Sequence, residues 1–291
     1  MKGIFKNSSF TERLFQFLFI FFLCFLGGII LSLIASDDGM GDVFPLKISV
    51  LIQSVFSFLI PPFLLAYLWC EKPLDFLCLK TESNWRVFVP VILMMIVVIP
   101  FVNLLADLNQ KIHLPDFMAG IEKQIRLMEE QAAAQTEKML FANTFGALLF
   151  NIFLIAVIPA LGEELFFRGT LQRVISNAKG QVLAVWITAF IFSAVHMQFY
   201  GFIPRLLLGA FLGYLLVWSG SIWLPIAAHF VYNAFAVVFH YLSNKAYLTI
   251  DIDTIGTGNT WWLGLVCGVI FVCGFCFLRN ILKKHKLIAN N

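Results

Sequence analysis

The chain has 291 residues, 60% of them hydrophobic and only 13% charged, with a mean hydropathy of +0.87. That balance excludes a soluble globular domain, and the net charge of +3 comes with no basic run of the kind that tracks a nucleic-acid backbone. What remains is a polytopic membrane protein.

Apolar runs of roughly 20 residues, the length a helix needs to cross the hydrocarbon, fall near 14–35, 48–70, 87–107, 141–161, 181–200, 203–219, 222–243 and 261–282. They predict an all-α transmembrane bundle of about eight spans. Lys2, Lys6 and Arg13 lead into the first run, which is too long for a signal-peptide core and has no clear small-residue cleavage site after it. It reads as an uncleaved anchor with the N-terminus in the cytoplasm. With eight crossings, thirteen Lys and Arg residues fall inside and seven outside, the sign that the positive-inside rule requires. A bacterial inner membrane is the expected location, since the sequence carries no recognisable organelle address.

Between the third and fourth runs lies the longest polar interruption, from about Asp107 to Lys138. It contains "HLPDFMAG", broken by Pro115, and then "IEKQIRLMEEQAAAQTEKM", which is rich in helix formers and predicts a helix. The plainer reading of that helix is a solvated extension feeding the fourth span; the functional one is a surface helix that gates a site below. Short breaks at 176–181, 200–205 and 219–221 make the helices from 141 to 243 consecutive antiparallel neighbours. The chain therefore divides into N-terminal spans with the polar helix (1–140), a central block holding nearly all the unusual polar residues (141–243), and a last span with a basic tail (244–291). The six cysteines form no disulfide framework, and the C-x-x-C of Cys273 and Cys276 lies inside the last apolar run with no second pair to complete a zinc site.

Three segments of the central block stand out: "EELFFR" (Glu163 to Arg168), "FSAVH" (Phe192 to His196) and "HFVYN" (His229 to Asn233). A charge at the centre of a membrane helix costs at least about 2.5–3.5 kcal/mol unless it is paired or solvated, so such residues point to function. Counted from the turns at about 1.5 Å per residue, Glu163, His196 and Asn233 reach one depth, with His229 one helical turn away. Glu164 and Arg168 stand at the spacing of a side-chain ion pair with the acid first. Glu163 points about 100° away from Glu164 and is free to face something else.

Peptide-bond hydrolysis requires an activated water, a base for its proton and donors for the oxyanion. Glu163 is the candidate base, His196 can orient the water or shuttle the proton, and His229 and Asn233 can donate to the oxyanion. A second arrangement uses Zn²⁺ or another divalent metal held by Glu163, His196 and His229 with a position open to water. Asn233, a poor zinc ligand, would then serve the substrate instead. The residues alone leave both mechanisms open.

At these positions the chain resembles the CPBP family, the CAAX proteases and bacteriocin-processing enzymes also called Abi. Its hallmarks are E-E-x-x-x-R, F-x-x-x-H and H-x-x-x-N/B motifs on successive membrane helices, met here by Glu163, Glu164 and Arg168, by Phe192 and His196, and by His229 and Asn233. The resemblance covers roughly 145–240 and implies an intramembrane endopeptidase acting on a membrane-associated protein or peptide. Within the family, the residues matching Glu163 and His196 are taken to activate water, and those matching His229 and Asn233 to stabilise the oxyanion. Members are commonly labelled metalloproteases, and a metal-free glutamate mechanism has also been proposed for them. Nothing in the sequence indicates a prenylated CAAX substrate.

Other chemistries are less well supplied. There is no H-E-x-x-H and no G-x-S-G, and "GMGD" at 39–42 sits in a polar loop without a second Asp inside a span. A transporter or proton relay would also use buried carboxylates and histidines, but no inverted repeat is evident. An inert scaffold or immunity protein would have no need to keep Glu163 and both histidines.

Overall fold

The computed structural model describes residues 2–35, 43–81, 84–248 and 251–289; "GMGD" at 39–42, with Asp37 and Asp38, and the side chains of the basic tail from 283 onward lie outside it. Among the described residues there is no strand. In chain order the helices are α1 (Phe10–Ala35), α2 (Val43–Trp69), α3 (Trp85–Gln110), the polar α4 (Ala119–Leu140), α5 (Phe145–Lys179), the short α6 (Gln181–Ala194), α7 (Phe202–Ser219), α8 (Trp223–Asn244) and α9 (Trp261–Ala289). By length and composition, seven of these could cross a membrane, all except α4 and α6. The protein is an all-α, multi-pass membrane bundle.

The fifth apolar run makes a helix but stops early. At 14 residues α6 rises about 21 Å, short of the roughly 30 Å hydrocarbon. Met197 takes a left-handed φ of 54°, and the His196 imidazole donates from Nδ1 to the carbonyl of Phe192 at 2.7 Å, closing an open carbonyl of the last turn. His196 therefore stands in the turn after α6 and not on the helix itself.

Irregular backbone inside a membrane bundle must find its hydrogen bonds within the protein. The turn after α6 does so. The Asn109 side-chain amide donates to the carbonyls of Phe199 and Tyr200 at 2.9 and 2.7 Å, and the Tyr200 amide donates to Glu129 on α4 at 2.9 Å. Arg126, also on α4, lies over the Tyr200 ring at 4.9 Å. Hydrogen bonds from Arg126, the Leu114 amide and His113 hold the Glu122 carboxyl down at about 2, so this end of α4 keeps its ionic anchor. At the other end, Lys47 donates to Phe141 O and Asn151 Oδ1, and Asn151 donates to Leu140 O. The polar helix is tethered at both ends, although none of its own residues is buried.

Between membrane helices the solvent supplies little driving force, so close packing through small residues matters. The contact of α9 with α3 depends on it. A Cβ at Gly264 would sit 2.8 Å from Leu104 Cβ and 2.9 Å from the carbonyl oxygens of Pro100 and Gly256. Backbone atoms cannot move aside, so Gly264→Ala is expected to destabilise the fold by about 1–3 kcal/mol, read as a lower unfolding midpoint in detergent. Gly146→Ala, where the nearest atom would be 3.9 Å away, should leave the midpoint unchanged.

Candidate active site

The first half of the site comes from α5, whose stretch Glu164–Gln172 winds as a π-helix with all of its residues buried. Such wide turns occur mostly as local insertions and often at functional sites. The Thr170 hydroxyl donates to the carbonyl of Leu165 at 2.9 Å, five residues back, as the wider turn allows. Arg168 is fully buried: Nη1 donates to Glu164 Oε1 at 2.7 Å, Nη2 to the carbonyl of Gly209 at 3.0 Å, and the guanidinium lies 4.4 Å from the centre of the Phe192 ring. One turn on, Gln172 donates to the carbonyl of Gly213 at 3.1 Å. The missing side chain of Gly213 on α7 makes room for Gln172, since a Cβ there would meet Gln172 Oε1 at 2.7 Å, and that of Gly209 lets α6 approach, since a Cβ there would lie 3.1 Å from the Phe192 ring.

The second half comes from α8. His229 donates from Nδ1 to Glu164 Oε1 at 2.8 Å, the same oxygen that receives Arg168. This bond turns His229 Nε2 toward Glu163, whose Oε2 is 3.9 Å away. Glu164 is sealed, while the Glu163 side chain keeps 15% of its surface exposed. On the next turn of α8, Asn233 donates from Nδ2 to the carbonyl of Ile155 at 3.2 Å. That carbonyl is available because Pro159, four residues on, has no N–H to give it.

Glu163, His196, His229 and Asn233 all line one cavity of about 350 Å³. Glu164 and Arg168 stand behind it. With Nδ1 of His196 engaged by Phe192 O, its Nε2 is the ring atom left for chemistry. The Phe192 ring meets His196 and His229 edge-on, with centroids 5.1 and 6.2 Å away. A larger cavity of about 710 Å³ lies on the other side of α7 among Trp186, Tyr214, Trp218 and Phe275, but no carboxylate or imidazole lines it, so the chemistry belongs to the smaller one.

Three features of the site were not anticipated. Arg205 and Tyr232 line the cavity, yet Arg205 reads in sequence as a charge at a loop end and Tyr232 as one more aromatic. Met139 carries the polar helix α4 to the cavity wall. Among the described residues, no group of three or more His, Cys, Asp or Glu side chains stands so as to hold a metal ion. Glu163, His196 and His229 share the cavity without forming such a cluster.

A carboxylate, two imidazoles and an amide line one cavity within a bundle of helices, seven of them long and apolar enough to cross a membrane, as in a multi-pass membrane protein. Residues 145–235 match the family model described as type II CAAX prenyl endopeptidase Rce1-like, the same segment that carries the resemblance to the CPBP family. An uncharacterized protein of Bacillus subtilis (strain 168), YpbD, is 30% identical over 88 residues, which are 29% of this chain and 42% of that protein. The chain thus spans less than half the length of this curated relative. No solved structure matches it.

The buried pair can be tested directly. Arg168→Met leaves Glu164 charged with one partner fewer and is expected to cost about 3–5 kcal/mol, seen as a lowered unfolding midpoint. Adding Glu164→Met to it should recover part of the loss, because no uncompensated carboxylate then remains.

Proposed function

We propose that the protein is an intramembrane endopeptidase that hydrolyses a peptide bond in a membrane-associated protein or peptide. The observation that carries this reading is the shared cavity of Glu163, His196, His229 and Asn233, and the Rce1-like match over the same helices supports it. A bacterial inner (cell) membrane is the proposed location, supported by the seven apolar helices and by a relative from a bacterium.

In this mechanism Glu163 takes a proton from a water that His196 Nε2 orients, and the water oxygen adds to the scissile carbonyl carbon. The negative charge that develops on the carbonyl oxygen is met by the remaining N–H of the Asn233 amide and by His229 Nε2. Because His229 already donates from Nδ1 to Glu164, its Nε2 donates to the oxyanion only when that nitrogen also carries a proton. Collapse of the intermediate breaks the C–N bond, and the proton held by Glu163 passes to the leaving amine. The products are a new carboxylate and a new amine.

A membrane-tethered peptide library, presented to purified protein in detergent or liposomes, tests this. Glu163→Gln and His196→Ala are each expected to lower kcat/KM by about 10²–10⁴-fold, and Asn233→Ala by about 10²–10³-fold, mainly in kcat. Cleavage that persists in Glu163→Gln would overturn the reading. Wild-type cleavage should survive chelation with no stoichiometric metal bound; loss on chelation with recovery on adding Zn²⁺ would replace the glutamate mechanism with a metal-assisted one.

A further inference from the structure

Arg205 enters the same cavity from the first turn of α7. Its Nη2 donates to Gln198 Oε1 at 2.6 Å, which folds the guanidinium back over Gly201, where an added Cβ would lie 2.9 Å from Nη2. Nη1 is buried and has no hydrogen-bond partner among the described residues. Nor does any described carboxylate come within ion-pair distance of this side chain. The two nearest in electrostatic terms, Glu129 and Glu163, are turned elsewhere: Glu129 accepts from the Tyr200 amide and Glu163 faces His229. The contrast with Arg168 is direct, since that buried guanidinium has its own carboxylate at 2.7 Å.

A cationic donor withdrawn from water without an acceptor is unfavourable, and the planar fork of arginine fits a carboxylate with two parallel hydrogen bonds. Gln198 fixes one edge of that fork and leaves the other free. The cavity is small enough that an anion bound there would lie close along the chain to a bond held against Glu163.

We propose that Arg205 is a specificity-determining residue that binds a carboxylate of the peptide substrate, held in place by Gln198, and so positions the scissile bond at Glu163. The proposal rests on the hydrolytic reading above. The carboxylate is either the peptide's own C-terminus or an Asp or Glu side chain beside the cleaved bond.

Binding separates this inference from catalysis. In the Glu163→Gln background, three N-acylated fluorescent apolar peptides are titrated by anisotropy: one with a free C-terminal carboxylate, its C-terminal amide, and the amide carrying one internal Glu. The acid peptide is expected to bind about tenfold more tightly than the plain amide, and adding Arg205→Met should abolish that difference. Tighter binding of the Glu-containing amide alone would assign the site to an acidic side chain. Arg205→Lys, which keeps the charge but not the fork, should weaken the acid peptide several-fold and decides the matter if Arg205→Met does not fold. Equal binding of all three peptides, or a preference that survives loss of Arg205, would overturn the proposal. Tight binding of the acid peptide by wild type without cleavage would instead count against the hydrolytic reading and leave the anchor standing.

Discussion

Arg168 sits with no exposed surface among apolar helices, where an unpaired guanidinium would cost several kcal/mol in lost hydration. The local structure answers that cost. Glu164 neutralises it, the Gly209 carbonyl takes a second donor, and the Phe192 ring lies against its face. Each of these belongs to a different helix, so the contacts of its two Nη groups and one face fix α5, α6 and α7 relative to one another, while Nε keeps no partner among the described residues. His229 then adds α8 by sharing the Glu164 oxygen. Four of the helices around the cavity are thus held by polar and cation–π contacts that have no competitor in lipid, and the orientation of His229 Nε2 follows from them.

The wide turns of α5 serve the same end. A regular helix would spend every interior carbonyl on its own ladder. Pro159 and the π-turns at Ile152–Val157 and Glu164–Gln172 interrupt that economy, and the Ile155 carbonyl becomes an acceptor for Asn233. Asn233 keeps one N–H for the cavity while the other anchors it. A similar division holds at His196, where Nδ1 caps α6 and Nε2 remains. In both cases the atom left over is directed by the atom that is used.

Local spacing carried much of this in the sequence. The Glu164–Arg168 pair is legible because both residues lie on one helix, and counting rise from the turns groups Glu163, His196, His229 and Asn233, which line one cavity. What lies between helices was not legible. That His229 reaches Glu164 depends on the rotation of α8 against α5, which no count of residues gives. The early end of α6 was hidden because Val195, His196 and Met197 continue an apolar pattern, and a left-handed φ at a methionine leaves no mark in sequence. Arg205 was read with the loop before it because Pro204 looks like a break, whereas Pro204 is tolerated in the first turn of α7, where its missing N–H goes unmissed.

The shortness of α6 also explains why the polar helix is where it is. Ending at Ala194 leaves a turn from 195 to 201 whose backbone must be satisfied without lipid. Asn109 and Glu129 supply the bonds, and to do so Glu129 must be carried across on α4. A helix made only for solvation would have no reason to be fixed by Arg126 and Glu129 at Tyr200 and by Lys47 and Asn151 at its far end. Met139 shows the consequence, since the same helix that repairs the turn also forms part of the cavity wall. The turn that presents His196 and the helix that covers it are therefore one structural solution. Met139 sits beside Leu140 and Phe141, whose carbonyls accept from Asn151 and Lys47, so the bonds that tether the far end of α4 also fix that part of the cavity wall.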